Sequence, residues 1–268
     1  MNVLDVYDAA ELDVACRVPT THGPVDGVIS VLAGVVEDLP AGLEALVLTS
    51  DLQAREAAPG NRSMGVVMAE ELAGWLARRE VDAAAVGVVL AGDFYTKPDL
   101  AQRFGVGDVS DVWDAFAARF RWVTGVLGNV DRLPARARKR HRLLEGTSIV
   151  VDSLRIAGVS GIIGDARLEN RRHEADFLDD LNRVLGQDPD LVVLHEGPAA
   201  GLERPGNERV RAALRDYRGL VVCGHQRWPS RLARLRGAAV VNTDSYCVVL
   251  SRRARQGGRE RPRRRSSQ

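Results

Sequence analysis

Aromatic side chains make up only 5% of this 268-residue chain, so its core must be built from Val, Leu and Ala. Cysteine is almost as scarce. Cys16, Cys223 and Cys247 lie far apart without C-x-x-C spacing, which excludes a zinc finger and a disulfide framework. Cys223 and Cys247 sit inside apolar runs and read as reduced core residues. No apolar run approaches the roughly 18 residues of a membrane span. The N-terminal stretch MNVLDVYDAAELD is acidic where a signal peptide is basic, so no membrane contact is expected and the cytoplasm is the expected compartment. No G-x-x-x-x-G-K-S/T phosphate loop is present. GVGDVS at Gly105–Ser110 fails the last position of a G-x-G-x-x-G fingerprint, which removes the dinucleotide-binding reading.

What is present suits one large α/β domain. Hydrophobic residues make up 45% of the chain and charged residues 27%, as in soluble globular proteins. The net charge of +1 hides an asymmetry: residues 251–268 hold eight arginines and one glutamate, +7, while the rest of the chain carries 29 basic and 35 acidic side chains, −6. That Arg-rich segment has little to bury. It reads as a disordered tail over 251–268, with a solubilising role or a weak, salt-sensitive contact with nucleic acid or another polyanion.

Short apolar runs recur at Ala45–Thr49, Val86–Ala91, Trp122–Leu127, Ser148–Val151, Leu154–Val159, Leu191–Leu194, Leu220–Cys223, Ala238–Val241 and Tyr246–Leu250. Their length and Val/Leu/Ile content predict buried strands. Helical spacing predicts helices over His173–Leu185 and Glu208–Tyr217, with Met64–Arg78 and Val109–Phe120 as further candidates. The last two apolar runs, joined by NTDS, predict an antiparallel hairpin. Residues 1–44 hold one helix-like stretch, Val28–Val36, and are expected to form an N-terminal extension packed on a domain of residues 45–250. Strands alternating with helices predict a sheet covered on both faces, with ligands beyond the strand carboxyl ends.

Five apolar runs end in metal-competent residues: LVLTSDLQ (Asp51, Gln53), VVLAGDFY (Asp93), VTGVLGNVD (Asn129, Asp131), LVVLHEGP (His195, Glu196) and LVVCGHQRW (His225, Arg227). Carboxylate, carboxamide and imidazole together suit Mn, Fe, Zn or Ni better than Mg or Ca, which prefer all-oxygen shells. An Asp after a strand is commonly a turn or helix cap, so the information lies in the ordered set of five. Trp228 and Tyr95 are candidates to line a pocket, or simply to shape their loops.

In this order the motifs resemble those of the calcineurin-like metallophosphoesterase family, D-x-H, G-D, G-N-H-D/E, H and G-H-x-H. The resemblance covers about Leu46 to Leu250, and VVNTDSYCVVL resembles the family's closing segment. It implies a four-layer αββα metallophosphoesterase-like sandwich and two metals sharing Asp93. Asn129, His195 and His225 would complete one strong metal site, and Asp51 with Gln53 a second, weaker position. Three positions depart from the pattern. Gln53 and Arg227 replace imidazole ligands, and Val130 replaces the histidine near the leaving group. Gln53 can still offer an oxygen. Arg227 cannot ligate a cation but can grip phosphate in a bidentate fork. The resemblance therefore implies a metal-dependent hydrolase of phosphomonoesters or phosphodiesters, with Asp51, Asp93, Asn129 and Arg227 in the catalytic set; in place of the missing histidine, Asp131, Glu196 or a metal-bound water are the candidate proton donors, and the sequence does not choose among them. The three departures and the basic tail motivate a second expectation, a non-catalytic protein of this fold that binds a phosphorylated ligand, nucleic acid or a protein partner.

Overall fold

Runs of Val, Leu and Ile buried on both faces form the frame of the molecule, a mixed α/β fold. The computed structural model describes residues 1–57, 60–100 and 105–253. Strands of four residues or more are numbered β1 (Val3–Val18), β2 (Val25–Val36), β3 (Ala45–Ser50), β4 (Val86–Ala91), β5 (Trp122–Val126) and β6 (Thr147–Val151). They continue with β7 (Leu154–Val159), β8 (Leu191–Glu196), β9 (Leu220–Gly224), β10 (Leu232–Leu235), β11 (Ala238–Asn242) and β12 (Tyr246–Arg252). The helices are α1 (Met64–Ala77), α2 (Ser110–Ala117), α3 (Ala135–Arg138), α4 (Glu174–Leu185) and α5 (Glu208–Ala213).

Two sheets carry the fold. The larger has the order β1-β2-β12-β3-β4-β5, with the short strands Arg55–Glu56 and Arg142–Leu143 at its edges; the smaller has the order β6-β7-β8-β9-β11-β10. Within the first, β3, β4 and β5 are parallel. Within the second, β7, β8, β9 and β11 are parallel.

Alternation along the strands divides the core into three clusters. In β4, Val88 and Leu90 join one that holds residues of α1 and α2, while Val89 and Ala91 join a second. In β8, Leu191 and Val193 reach that same second cluster, while Val192 and Leu194 join a third with residues of α4 and α5. The second cluster contains side chains of both sheets and no helical residue. Helix ends follow local chemistry. Asn207 caps α5 by accepting from the N–H groups of Arg209 and Val210, and α4 carries Glu174 and Asp176 in its first turn and Arg183 in its last.

Three expectations are corrected. The stretch Val28–Val36 is not a helix but part of β2, paired antiparallel with β1 and parallel with β12. Its Val and Ile content favours strand, and residues 28, 31, 32, 35 and 36 satisfy helical spacing only because nearly every position is apolar. The segment before Ala45 therefore adds two long strands to the larger sheet. The hairpin expected across NTDS is absent: β11 pairs with β9 and β10 in the smaller sheet, whereas β12 enters the larger sheet between β2 and β3. Thr243–Ser245 thus carry the chain from one sheet to the other. Finally, β12 extends through Arg252, so Ser251 and Arg252 of the expected tail are strand residues. From residue 254 onward the expected disordered tail lies outside the described residues.

Candidate metal centre

The carboxyl ends of β3, β4, β5, β8 and β9 lie at one end of the two sheets, and each hands its next residues to a common region. A cavity of about 490 Å³ opens there, lined by Asp51, Gln53, Asp93, Asn129, Val130, His225, Arg227 and Asp244 among others. Asp93, His195 and His225 each offer a ligand atom, and these atoms lie within 4.8 Å of one another.

Sharp turns deliver these side chains. Asp51, Asp93 and His225 all adopt left-handed backbone, with φ of 54°, 59° and 68°. Gly92 also has positive φ, 91°, and a Cβ there would run into the Gly128 backbone. Gly128 itself lies against the Asp93 carboxylate. The two glycines let the β4 and β5 turns approach each other directly.

Asp131 locks these turns. Its Oδ2 accepts the N–H groups of Asp93 at 2.7 Å and Gly128 at 3.0 Å; its Oδ1 accepts those of Phe94 at 2.7 Å and Tyr95 at 3.1 Å. Burial, and then the nearby Asp93 charge, push its pKa up to about 6. Both oxygens are committed to the backbone, so Asp131 is a brace and not the proton donor considered from sequence. Glu196 is committed in the same way, accepting from Ile163 N at 2.5 Å and Asn207 Nδ2 at 3.1 Å.

His195 is fully buried, with Nδ1 2.8 Å from the Ala91 carbonyl oxygen. A carbonyl can only accept, so Nδ1 carries the hydrogen and Nε2 faces the cluster. Nε2 lies 3.2 Å from Asp93 Oδ2, close enough for an ion pair but without hydrogen-bond alignment. Burial disfavours charge on this ring, but Asp93 and then Asp51 outweigh it and push the pKa up to about 10. His225, 5.0 Å away between ring centroids, behaves oppositely: burial and the neighbouring His195 push it down to about 4. Burial and the Asp244 and Asp93 carboxylates raise Asp51 well above the carboxylate range, with His195 acting against them.

The remaining sequence candidates divide clearly. Asn129 Oδ1 is buried without a hydrogen-bond partner. Asp93 Oδ1 accepts from Val130 N at 3.0 Å, and its Oδ2 accepts from Gln53 Nε2 at 2.6 Å. Gln53 thus presents an N–H to Asp93 and not an oxygen to the cluster. Asp51 lines the cavity but stands outside the tight triad, and its Oδ2 accepts the His225 N–H at 3.0 Å. Arg227 is exposed at the rim, 3.3 Å from Tyr246 Oη and 5.6 Å from that ring's centroid. Trp228 is 1% exposed and donates to the Pro205 carbonyl at 2.7 Å, so it shapes its loop and cannot stack on a ligand. Tyr95 packs against the first core cluster and does not line this cavity.

Sequence reading missed two parts of the site. Val18, Pro19, Gly27, Val28 and Ile29, from the β1–β2 hairpin, form an apolar wall opposite the ligands. Asp244 and Ser245 line the cavity from the turn that crosses between sheets, where Thr243 Oγ1 lies 2.9 Å from Ser50 Oγ and 3.1 Å from the Cys223 carbonyl. The alternation of Val14, Cys16 and Val18 was the available signal for β1. Nothing in NTDS signalled a sheet crossing.

A cation suits this arrangement on two observations. Asn129 Oδ1 is a buried acceptor without a partner, and leaving such a group unsatisfied costs about 1–3 kcal/mol; His195 Nε2, buried beside the Asp93 carboxylate, makes no aligned hydrogen bond either. The donor set of one carboxylate, one amide oxygen and two imidazoles matches a divalent transition metal. No protein-family model matches the chain, and no curated protein matches it.

Proposed function

We propose that the chain is a metal-dependent phosphoester hydrolase, with a four-layer αββα arrangement like that of the calcineurin-like metallophosphoesterases. The layer reading is supported by the central cluster shared between the sheets and the two flanking clusters that contain the helices. The functional reading is carried by one observation: Asp93, His195 and His225 converge from three different strand ends on one small volume, beside the unpartnered Asn129 oxygen.

In this proposal Asp93, Asn129, His195 and His225 hold one divalent ion, with Mn, Fe, Zn and Ni as candidates. When bound, such an ion polarises a phosphoryl oxygen and makes a water acidic enough to ionise near neutral pH. The chain's own residues do the rest. The Ala91 carbonyl fixes the His195 tautomer, and Asp131 holds both turns rigid through its four backbone hydrogen bonds. Arg227, at the cavity rim, donates to phosphate oxygens in a bidentate fork. Asp51 buttresses the His225 turn, and with Gln53 it offers a weaker second position only if the Gln53 amide turns its oxygen inward. The apolar Val130 side chain at the cavity gives no proton to a leaving group, which favours substrates whose alcohol leaves readily.

The test combines metal analysis with turnover. Purified protein is expected to bind close to one equivalent of Mn or Zn by calorimetry and to hydrolyse an aryl phosphate or phosphodiester. Asp93→Asn and His225→Ala are expected to lose both, with melting temperatures that show them folded. Failure to take up any transition metal would sink the proposal. Tight uptake with no turnover across a broad phosphoester panel would leave a non-catalytic binder of phosphorylated ligands, the reading favoured by the Gln53 N–H turned toward Asp93.

A further inference from the structure

A second cavity, of about 470 Å³, opens between α5 and the turn joining β10 to β11. Its charged lining consists of Arg211, Arg215, Arg234, Arg236 and Glu208. Local geometry gathers these arginines. Arg211 lies on α5 and Arg215 in the turn after it, while Arg234 lies on β10 and Arg236, with φ of 41°, in the turn after that, and all four line the one groove. Their charges are poorly compensated. Arg211 has Glu208 at 3.6 Å, and Arg234 donates to the Val3 and Leu4 carbonyls and to Asn2 Oδ1. Among the described residues, the Arg215 and Arg236 side chains have no hydrogen bond or ion pair.

This groove is separate from the metal centre. Leu220, at the start of β9, pairs with Ala239 near the groove, while His225 follows the other end of the same strand. Five strand residues span about 17 Å. The groove is also adjacent to the place where the described chain ends. Arg234 is bonded to Val3, Val3 is in register with Val36, and Val36 with Arg252. Two strand spacings, about 10 Å, separate Val3 from Arg252. Beyond Arg253 the sequence continues for fifteen residues with six arginines and one glutamate.

We propose that this groove is a binding surface for the phosphodiester backbone of a nucleic acid. Four convergent guanidinium groups repel one another in the free protein, and a run of phosphates relieves that repulsion while releasing counterions. A long polyanion fits better than a single small one, because all four arginines are exposed and line an open groove with no enclosed centre for one small anion. A membrane surface fits less well, because no exposed large hydrophobic side chain lines the groove. No aromatic side chain lines it either, so recognition is of backbone charge and not of base sequence.

The test uses the full chain and fluorescence anisotropy with labelled single-stranded and duplex DNA of mixed sequence, from about 50 to 200 mM salt. Binding is expected to be indifferent to sequence, with log affinity falling against log salt with a slope of about −3 or steeper for the duplex. Arg215→Glu with Arg236→Glu is expected to weaken binding about tenfold or more and to flatten that slope by roughly two. Metal uptake at the Asp93 cluster serves as the folding control and should be unchanged. Ending the chain after Arg253 should preserve the effect of the double variant, which separates the groove from the charge of the C-terminal sequence. The proposal is overturned if no DNA binds at the lowest salt, or if the double variant binds as tightly as the parent. Tighter binding to phosphatidylserine vesicles than to DNA, or displacement of DNA by equimolar pyrophosphate, would overturn it as well.

Discussion

Three side chains at the candidate metal centre sit on backbone that ordinary residues avoid. Left-handed φ at Asp51, Asp93 and His225 costs roughly 1–2 kcal/mol per residue relative to glycine, and such strain concentrates where the side chain is needed. Asn tolerates this conformation, so Asp93→Asn should remove ligand charge without unfolding the turn. Gly92→Ala should be far worse. Its Cβ meets the Gly128 backbone, and the expected loss is about 3 kcal/mol or more in urea melts. Away from the site, Asp152 accepts from Trp122 Nε1 at 2.7 Å and from Arg121, and its hydrogen bond with Arg121 leads in holding its pKa below the usual value. A depressed folded pKa stabilises above the unfolded value and loses that contribution as pH falls through the folded one. Asp152→Ala should therefore cost about 1–3 kcal/mol near pH 7, through the stranded Trp122 N–H and the lost Arg121 pairing, and the pairing share of that cost should shrink as pH falls through the depressed Asp152 pKa. At this scale the sequence was informative where an apolar run ended in glycine plus a ligand. It named Asp131 without fixing its role, because a brace and a proton donor look alike until the backbone N–H groups around the carboxylate are known.

At the scale of elements, length and β-branching identified the buried strands, because a run of five or six residues buried on both faces has little freedom to be anything else. Half-exposed β1 and β2 were less legible. Their outer residues are mixed, and the apolar positions of β2 satisfy two periodicities at once. The turn 243–245 was opaque for another reason: whether two neighbouring strands pair with each other or with distant partners depends on what else is available to pair. Helix ends allow a sharper test. Glu80 follows α1 with φ of 59°, exposed, at a position that glycine occupies without strain. Glu80→Gly should raise stability by about 1 kcal/mol in denaturant titration, whereas glycine inside α1 should lower it.

Over the whole molecule, β12 is the joint between the N-terminal hairpin and the remaining strands of its sheet, pairing with β2 on one side and β3 on the other. A chain ended at Ser245 should lose far more than one strand. Leu250 and Val248 leave the central cluster and the hairpin wall of the cavity loses its attachment. Such a chain is expected to bind a hydrophobic dye such as ANS, to lose near-ultraviolet circular dichroism and to take up no metal. A cooperative melt with intact metal binding would refute this account.

That connectivity also sets a schedule. During synthesis the β1–β2 hairpin emerges before the other strands of its sheet, and the strand that anchors it emerges about 210 residues later, roughly 10–40 s at ribosomal rates of 5–20 residues per second. Through that interval the inner edge of β2 is open, and open edges invite pairing with other nascent chains. Asp5, Asp8, Glu11 and Asp13, all exposed along β1, give the waiting hairpin a negative charge that keeps copies apart. Neutralising these four acids should lower the soluble yield of newly made protein while barely changing the stability of protein already folded.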